Sequence, residues 1–327
     1  MIRFFDPGKS YLNIKGEILC EINRVLSAGD LILRDDVEKF EENLRNFVGT
    51  KYAIALNSGT DALYLALRAM GIGEKHKVLV PSYTFVATAQ VVNQLGATAV
   101  FYDLDDRLED IDPEMFDVLM VAHISGELAY PDLRDCPMIE DACQALGAIQ
   151  NPKSFAQAWS FYPAKILGAY GDAGALTTNS EELYREVREL RNHYKTDYAK
   201  YGINSRMDNL QAAILNVKFK YLPEVLARRK EIAELYLAGL QRVGLPNNNE
   251  IRVWQDFIIR TSKRNELYEY LKEHGIETMK NEYPMPVEKL PVAARYEAET
   301  LRLPLNEVVT DSEVREVIEH VNEFSKR

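Results

Sequence analysis

The chain has 327 residues, of which 46% are hydrophobic and 27% charged, a composition that is ordinary for a globular protein. The formal net charge is −11, so the basic footprint that nucleic-acid binding requires is missing. We find no apolar run long enough to span a bilayer, no signal-peptide layout and no metal-ligand or disulfide spacing among the three cysteines. We therefore expect a cytoplasmic protein without nucleic-acid or membrane partners and without a bound metal.

Helical patterns and short β-rich runs alternate through the first two thirds of the chain. The pattern predicts helices over residues 12–28, 35–47, 63–70 and 180–193, with another beginning near Thr84. It predicts strands over residues 52–56, 77–81, 98–105, 117–125, 137–141, 156–162 and 175–178. This alternation predicts an α/β domain with a largely parallel sheet, whose ligands lie beyond the carboxyl ends of its strands.

The pattern of apolar residues in the last third of the chain predicts a smaller α+β domain. A single long helix over residues 209–240 is expected to lead into it, followed by a strand (253–261) and helices (264–274 and 311–324). We place the boundary near Lys218, which gives a large domain of residues 1–217 and a small domain of residues 218–327.

The strand that ends before N-S-G-T-D is followed directly by a helix, so free N–H groups around Gly59 and Thr60 would meet at one point. This arrangement predicts an anion site, although a simply capped helix has the same residues. Phe85, His123 and Asp141 also follow predicted strands. We expect these positions to converge at one edge of the sheet.

Lys165 is the centre of an apolar stretch that runs from Trp159 to Leu176. Its neighbours, Phe161 and Tyr162 among them, are expected to enclose its amine, which would lower the pKa of the amine and make it a nucleophile or base. A snorkelling structural lysine is the alternative. Together with the carboxylate of Asp141, such a lysine meets the requirements of pyridoxal 5′-phosphate (PLP).

Six sequence blocks in this order resemble the DegT/StrS-type sugar aminotransferases, PLP enzymes of the aspartate-aminotransferase-like fold type I. The blocks are N-S-G-T-D-A-L, V-P-S-Y-T-F-V-A-T-A, I-E-D-A-C-Q-A-L-G-A, S-F-Y-P-A-K-I-L-G-A-Y-G-D-A-G-A, G-I-N-S-R-M-D-N-L-Q-A-A-I-L and Y-P-M-P. The resemblance implies transfer of an amino group from L-glutamate to a nucleotide-linked keto sugar.

The resemblance also implies a role for each matching residue. Lys165 would form the internal aldimine and shuttle a proton, while Asp141 would pair with the protonated pyridine nitrogen. The remaining cofactor residues are Gln144 for the ring's 3-oxygen, Phe85 for the ring face, Gly59, Thr60 and Ser160 for the phosphate, and Asn204 for the phosphate in a neighbouring subunit. The active unit is therefore expected to be a homodimer with shared active sites. Taken singly, each residue has a structural alternative: a helix cap, a core aromatic, a polar contact or a turn residue.

The substrate is implied less specifically. The run after Lys165, I-L-G-A-Y-G-D-A-G, is similar to members that act on 3-keto sugars, so we expect amination at carbon 3 of a dTDP- or UDP-linked hexose. Candidate substrate contacts are Tyr162, His193, Arg206 and Tyr283. A 4-keto sugar or cyclitol aminotransferase and an inert PLP-binding regulatory protein remain alternatives. A sugar dehydratase of the same fold is disfavoured because such members commonly carry histidine in place of the lysine.

Overall fold

The computed structural model describes residues 1–105, 111–129, 136–247, 251–285 and 290–326. A seven-stranded sheet with the order β1-β7-β6-β5-β4-β2-β3 dominates it. The strands are β1 (Tyr52–Leu56), β2 (Lys77–Pro81), β3 (Thr98–Tyr102), β4 (Val118–Ala122), β5 (Met138–Asp141), β6 (Ala156–Ser160) and β7 (Gly174–Thr178). Strands β2 to β6 pair in parallel with one another, and β7 pairs antiparallel with β1 and β6. The predicted α/β architecture with a mostly parallel sheet is confirmed.

Helices cover both faces of this sheet. Those of the first two thirds are α1 (Pro7–Ala28), α2 (Asp35–Val48), α3 (Gly59–Ala69), α4 (Val86–Gln94), α5 (Glu181–Leu190) and α6 (Asn209–Phe219). Side chains alternate between the faces along each strand: Ile54 and Leu176 join the core beneath α3 to α5, whereas Ala55 and Ala175 join the core beneath α2 and α6. Burial of two cores fixes the register of the strands and the edge at which their carboxyl ends meet.

The C-terminal part forms a second, three-stranded sheet with the order β8-β10-β9. Its elements are α7 (Leu222–Gly239), β8 (Phe257–Arg260), α8 (Arg264–Glu273), β9 (Met279–Lys280), α9 (Pro291–Glu299), β10 (Thr300–Leu303) and α10 (Asp311–Phe324). A separate core containing Tyr236, Phe257 and Val317 lies between this sheet and its helices. The N-terminal residue Ile2 pairs with Ile276 of the same unit.

The single helix expected over residues 209–240 is wrong, because the chain breaks between Phe219 and Leu222 and forms α6 and α7. Pro223 explains the break: it has no N–H, and its ring would clash with the carbonyl group four residues earlier. Proline is tolerated in the first turn of the new helix. The predicted domain boundary near Lys218 falls in the last turn of α6. Within the described residues, no helix is both long and apolar enough to cross a membrane.

Candidate active site

The start of α3 presents unsatisfied N–H groups at the edge of the sheet. Ser58 caps the helix, and its hydroxyl accepts a hydrogen bond from the Asp61 N–H at 3.0 Å. The N–H groups of Gly59 and Thr60 belong to the first turn, where no intrahelical carbonyl can accept from them. Together with the positive end of the helix dipole, they make this helix start suited to an anion, and the predicted phosphate site here stays a prediction.

Gly59 lies so close to its neighbours that no side chain fits. A Cβ atom at this position would lie 2.5 Å from Cys143 Sγ, 3.1 Å from Ser160 Cβ and 3.3 Å from the Trp159 carbonyl oxygen. A Cβ atom at Gly174 would lie 2.5 Å from the Gly59 nitrogen. The helix start, the end of β6 and the loop after β5 therefore form one cradle of backbone atoms.

Asp141 ends β5, and its carboxylate is held by two donors. Thr88 Oγ1 donates to Oδ2 at 2.7 Å, and the Cys143 N–H donates to Oδ1 at 3.2 Å. Because the single hydroxyl proton of Thr88 goes to Asp141, the 2.8 Å contact between Thr84 and Thr88 must be donated by Thr84. Turns follow Asp141 in place of a helix, so the helix-cap alternative is wrong.

Lys165 lies in a turn between β6 and β7 and is partly buried. Its N–H donates to the Tyr162 carbonyl oxygen at 2.8 Å. Phe161 is 1% exposed and belongs to the core beneath α2, but Tyr162 is 55% exposed. Tyr162 therefore lies on the side of the segment opposite the core that Phe161 enters, and its contact with the Lys165 side chain stays a prediction.

Cys143 lies within electrostatic range of both Asp141 and Lys165. Burial raises the pKa of its thiol well above the ordinary value, the Asp141 carboxylate raises it further, and the Lys165 ammonium lowers it. Both charges therefore act on the same sulfur atom. Lys165 and Asp141, predicted from separate parts of the sequence, are thus brought together. Nothing in the cysteine spacing indicated that Cys143 would lie here.

Gln144 is held by a backbone donor and by a tyrosine from the C-terminal unit. Its Oε1 accepts from the Ser125 N–H at 2.6 Å, and its Nε2 donates to the Tyr283 hydroxyl at 3.1 Å. These bonds fix the orientation of the amide, so the second Nε2 hydrogen is directed elsewhere. Burial raises the pKa of Tyr283, an effect that the Arg302 guanidinium 5.0 Å from its ring opposes, and the hydroxyl stays protonated.

Phe85 precedes α4, next to the Thr84 and Thr88 hydroxyls. Its side chain is 52% exposed, which disfavours the core-aromatic alternative. His123 is the opposite case: its side chain is fully buried, with Nε2 2.8 Å from Glu140 Oε2, and its Nδ1 accepts from the Ala129 N–H at 3.1 Å. Those bonds indicate a structural role for His123.

The other predicted residues lie on one paired segment. Asn204 forms a bridge with Asn192, whose side-chain oxygen accepts from Arg206 Nη1 at 3.0 Å, and the His193 N–H donates to the Ile203 carbonyl at 3.0 Å. His193 and Asn204 are exposed. Ser205 joins this segment to α3, because its hydroxyl donates to Asp61 at 2.6 Å.

These residues fit PLP. The cradle at Gly59 excludes any Cβ atom yet offers helix N–H groups suited to a phosphate. A carboxylate with two fixed donors suits a protonated ring nitrogen, and the partly buried Lys165 is near enough to act electrostatically on the adjoining Cys143 thiol.

Comparison with known proteins agrees with this geometry. Residues 12–322 match the profile of the DegT/DnrJ/EryC1/StrS aminotransferase family. The chain is 35% identical to a UDP-2-acetamido-2-deoxy-3-oxo-D-glucuronate aminotransferase of Pseudomonas aeruginosa, over 94% of this chain and 92% of that protein. It is 34% identical to a dTDP-3-amino-3,4,6-trideoxy-alpha-D-glucose transaminase of Streptomyces venezuelae, over 100% and 97%. The crystal structure of S. venezuelae DesV in complex with a ketimine intermediate matches with a TM-score of 0.92 at 32% identity, over 100% of this chain and 99% of that one.

Proposed function

Since this chain belongs to the DegT/DnrJ/EryC1/StrS aminotransferase family and is a PLP-dependent aminotransferase, we propose that it aminates carbon 3 of a nucleotide-linked keto sugar with L-glutamate as donor. The observation that carries the proposal is the close packing of Gly59 at the start of α3 against Cys143 and Ser160, with the oriented Asp141 carboxylate bonded to the Cys143 N–H. The choice of carbon 3 is supported by the similar proteins, whose names specify a 3-oxo or a 3-amino sugar.

PLP supplies a reactive aldehyde and an electron-withdrawing ring, which allow an amino group to be taken from one substrate and given to another. Asp141 keeps a proton on the ring nitrogen, because its carboxylate is already oriented by Thr88 and by the Cys143 N–H. A fixed carboxylate stabilises that positive charge without reorganisation during the reaction.

Lys165 would hold the cofactor through Nζ, and as a free amine it would be the group that accepts a proton from one carbon and donates it to another. Its place beyond the carboxyl end of β6 puts it at the same edge of the sheet as Asp141, which ends the parallel neighbour β5. One amine can therefore serve as nucleophile, base and acid in the two halves of the cycle.

The remaining cofactor contacts follow from the fixed groups around them. Gly59, Thr60 and Ser160 hold the phosphate, Phe85 covers the ring face with its exposed side, and Gln144 gives its second Nε2 hydrogen to the 3-oxygen. We place the substrate at the rim formed by Tyr162, His193, Arg206 and Tyr283.

We further propose a homodimer in which Asn204 contacts the phosphate held by the other subunit. Two observations support it: Asn204 is exposed, and α1 carries exposed Leu12 (66%), Leu19 (41%) and Leu26 (55%) at seven-residue intervals. Such spacing makes one apolar stripe along a helix, and a stripe of this kind is typical of an interface between subunits.

The test is a product assay with a matched substrate panel. We would incubate the PLP-loaded protein with ¹⁵N-labelled L-glutamate and with 3-keto or 4-keto forms of dTDP- and UDP-hexoses, and detect the amino sugar by mass spectrometry. The proposal predicts ¹⁵N at carbon 3. Label at carbon 4 would contradict the assignment of the carbon, and PLP binding without any transfer would support the inert regulatory alternative.

A further inference from the structure

The segment that carries Lys165 is not held by a strand ladder or by a helix. Residues 163–167 form consecutive turns, so few main-chain bonds define the position of Lys165. The Lys165 N–H donates to the Tyr162 carbonyl, and Lys218 of α6 donates to the Gly168 carbonyl at the end of the turn. The peptide groups on either side of Lys165 have a different partner.

That partner is Gln255, just before β8 in the C-terminal unit. Its Oε1 accepts from the Ile166 N–H at 3.1 Å, and its Nε2 donates to the Ala164 carbonyl oxygen at 3.1 Å. A primary amide is the side chain that matches one N–H and one C=O at once. We propose that Gln255 is a positioning residue for the catalytic amine, which clasps the backbone on both sides of Lys165.

Gln255 is itself anchored. Its side chain is 8% exposed, and its carbonyl oxygen accepts from Arg229 Nη1 at 3.0 Å. The same nitrogen donates to the Trp254 carbonyl at 3.1 Å, and Arg229, on α7, is 3% exposed. The Trp254 ring stacks on Phe257 of β8 with centroids 5.4 Å apart. The C-terminal unit therefore presents the amide from a fixed backbone.

Two bonds on opposite sides of one residue restrict rotation of its backbone as well as its translation. Rotation at Lys165 would move Nζ, which lies at the end of a long side chain, by much more than it moves the Cα atom. A misplacement of about 1 Å at a reacting atom lowers the rate by as much as about a hundredfold. The inference rests on the proposed role of Lys165, and it assigns to the C-terminal unit a direct part in setting the geometry of the amine.

The test uses Gln255→Glu and Gln255→Ala, with the exposed Gln241→Glu as matched control. In Gln255→Glu the carboxylate still accepts from the Ile166 N–H, but its second oxygen faces the Ala164 carbonyl, so acceptor meets acceptor. When the introduced carboxyl is protonated, it donates to that carbonyl and the clasp is restored. Burial raises the pKa of a carboxyl, so this restoration begins at a pH above the ordinary range for glutamate.

Three measurements apply. Amide hydrogen exchange at Ile166 in the apoprotein of Gln255→Ala should accelerate by about fivefold, as expected for loss of one hydrogen bond. Capture of added PLP by Lys165, trapped with borohydride and located by mass spectrometry, should slow by about tenfold to a hundredfold in both variants. The capture rate of Gln255→Glu relative to the unmodified protein should rise as the pH falls, whereas that of Gln241→Glu should stay flat.

The proposal is overturned if the rate of PLP capture in both variants stays within about twofold of the rate in the unmodified protein. It is also overturned if the relative capture rate of Gln255→Glu does not change with pH while its melting temperature falls, because a merely structural residue would behave in this way. If Gln255→Ala does not fold, the near-isosteric Gln255→Glu decides. Capture needs no amino donor, so a failure of L-glutamate to react would contradict the proposed function without affecting this result.

Discussion

Gly59→Ala tests the cradle at the start of α3. The added Cβ would meet Cys143 Sγ at 2.5 Å and Ser160 Cβ at 3.1 Å, and the Trp159 carbonyl oxygen at 3.3 Å leaves it no free direction. Overpacking of a filled site costs about 1–3 kcal/mol, and the gain from replacing glycine in a helix returns about 0.5–1 kcal/mol. We expect a net loss of about 1–2 kcal/mol in the free energy of unfolding.

Gly16→Ala is the matched control. Gly16 lies within α1, and a Cβ atom there has no neighbour within 4 Å in its own chain, so within one subunit only the helix gain applies. We expect it to raise the free energy of unfolding by about 0.5–1 kcal/mol. The two glycines should therefore respond with opposite signs in urea unfolding of the apoprotein followed by circular dichroism.

Cys143→Ala provides the second half of the experiment, because it removes the sulfur atom nearest to the added Cβ. In a double-mutant cycle with Gly59→Ala, the coupling energy should favour the double variant by about 1 kcal/mol or more. PLP affinity of Gly59→Ala should fall by about tenfold, since 1.4 kcal/mol corresponds to that factor. A Gly59→Ala protein that is stabilised like Gly16→Ala, or strict additivity with Cys143→Ala, would refute the close approach.

Three further predictions concern single side chains. Thr88→Val keeps the shape of the side chain but removes a hydrogen bond to a charged carboxylate, which is worth about 1.5 kcal/mol or more. The PLP affinity measured by fluorescence titration should therefore fall about tenfold. Thr50→Val, remote from the site, is the control and should leave the PLP affinity unchanged. Because the pKa of the Cys143 thiol is raised, its thiolate is scarce at pH 8. Iodoacetamide should therefore alkylate the exposed Cys20 before Cys143, as followed by peptide mass spectrometry. Equal alkylation rates for the two cysteines would contradict the burial of Cys143. Arg191→Met leaves the mostly buried Glu41 carboxylate, now 2.6 Å from Arg191 Nη1, without its cationic partner and with only the Ala55 N–H as donor among the described residues. Urea unfolding should therefore show a loss of about 3–5 kcal/mol, and a loss below about 1 kcal/mol would count against the pair.

The strands and helices of the large sheet were predictable because burial leaves a direct pattern in sequence. The short apolar run of β1, which is buried on both faces, and the helical apolar spacing of α3 follow from packing against the two cores. The break before α7 was missed although Pro223 is visible, because the apolar pattern continues across it. The inability of Pro223 to continue the preceding helix outweighed the helical periodicity of the apolar residues in this segment.

Lys165 and Asp141 were predictable because each is part of a local motif. Thr88 and Gln255 were not, since each acts through a contact between residues that are far apart in sequence: 53 positions separate Thr88 from Asp141, and 89 separate Gln255 from Ile166. The exposure of Tyr162 follows from strand alternation that continues past β6. Trp159 and Phe161 share the core, so Tyr162 points to the other side, with Ser160.

The most direct measurement is the visible absorbance of the PLP-loaded protein before and after addition of L-glutamate, compared with Lys165→Ala. Covalent attachment of PLP through Lys165 Nζ predicts a yellow band that bleaches with L-glutamate and that is absent or unresponsive in the variant. A band that survives unchanged in Lys165→Ala and still bleaches would contradict the assignment of the amine. Failure of the unmodified protein to form any band with added PLP would contradict the cofactor site itself.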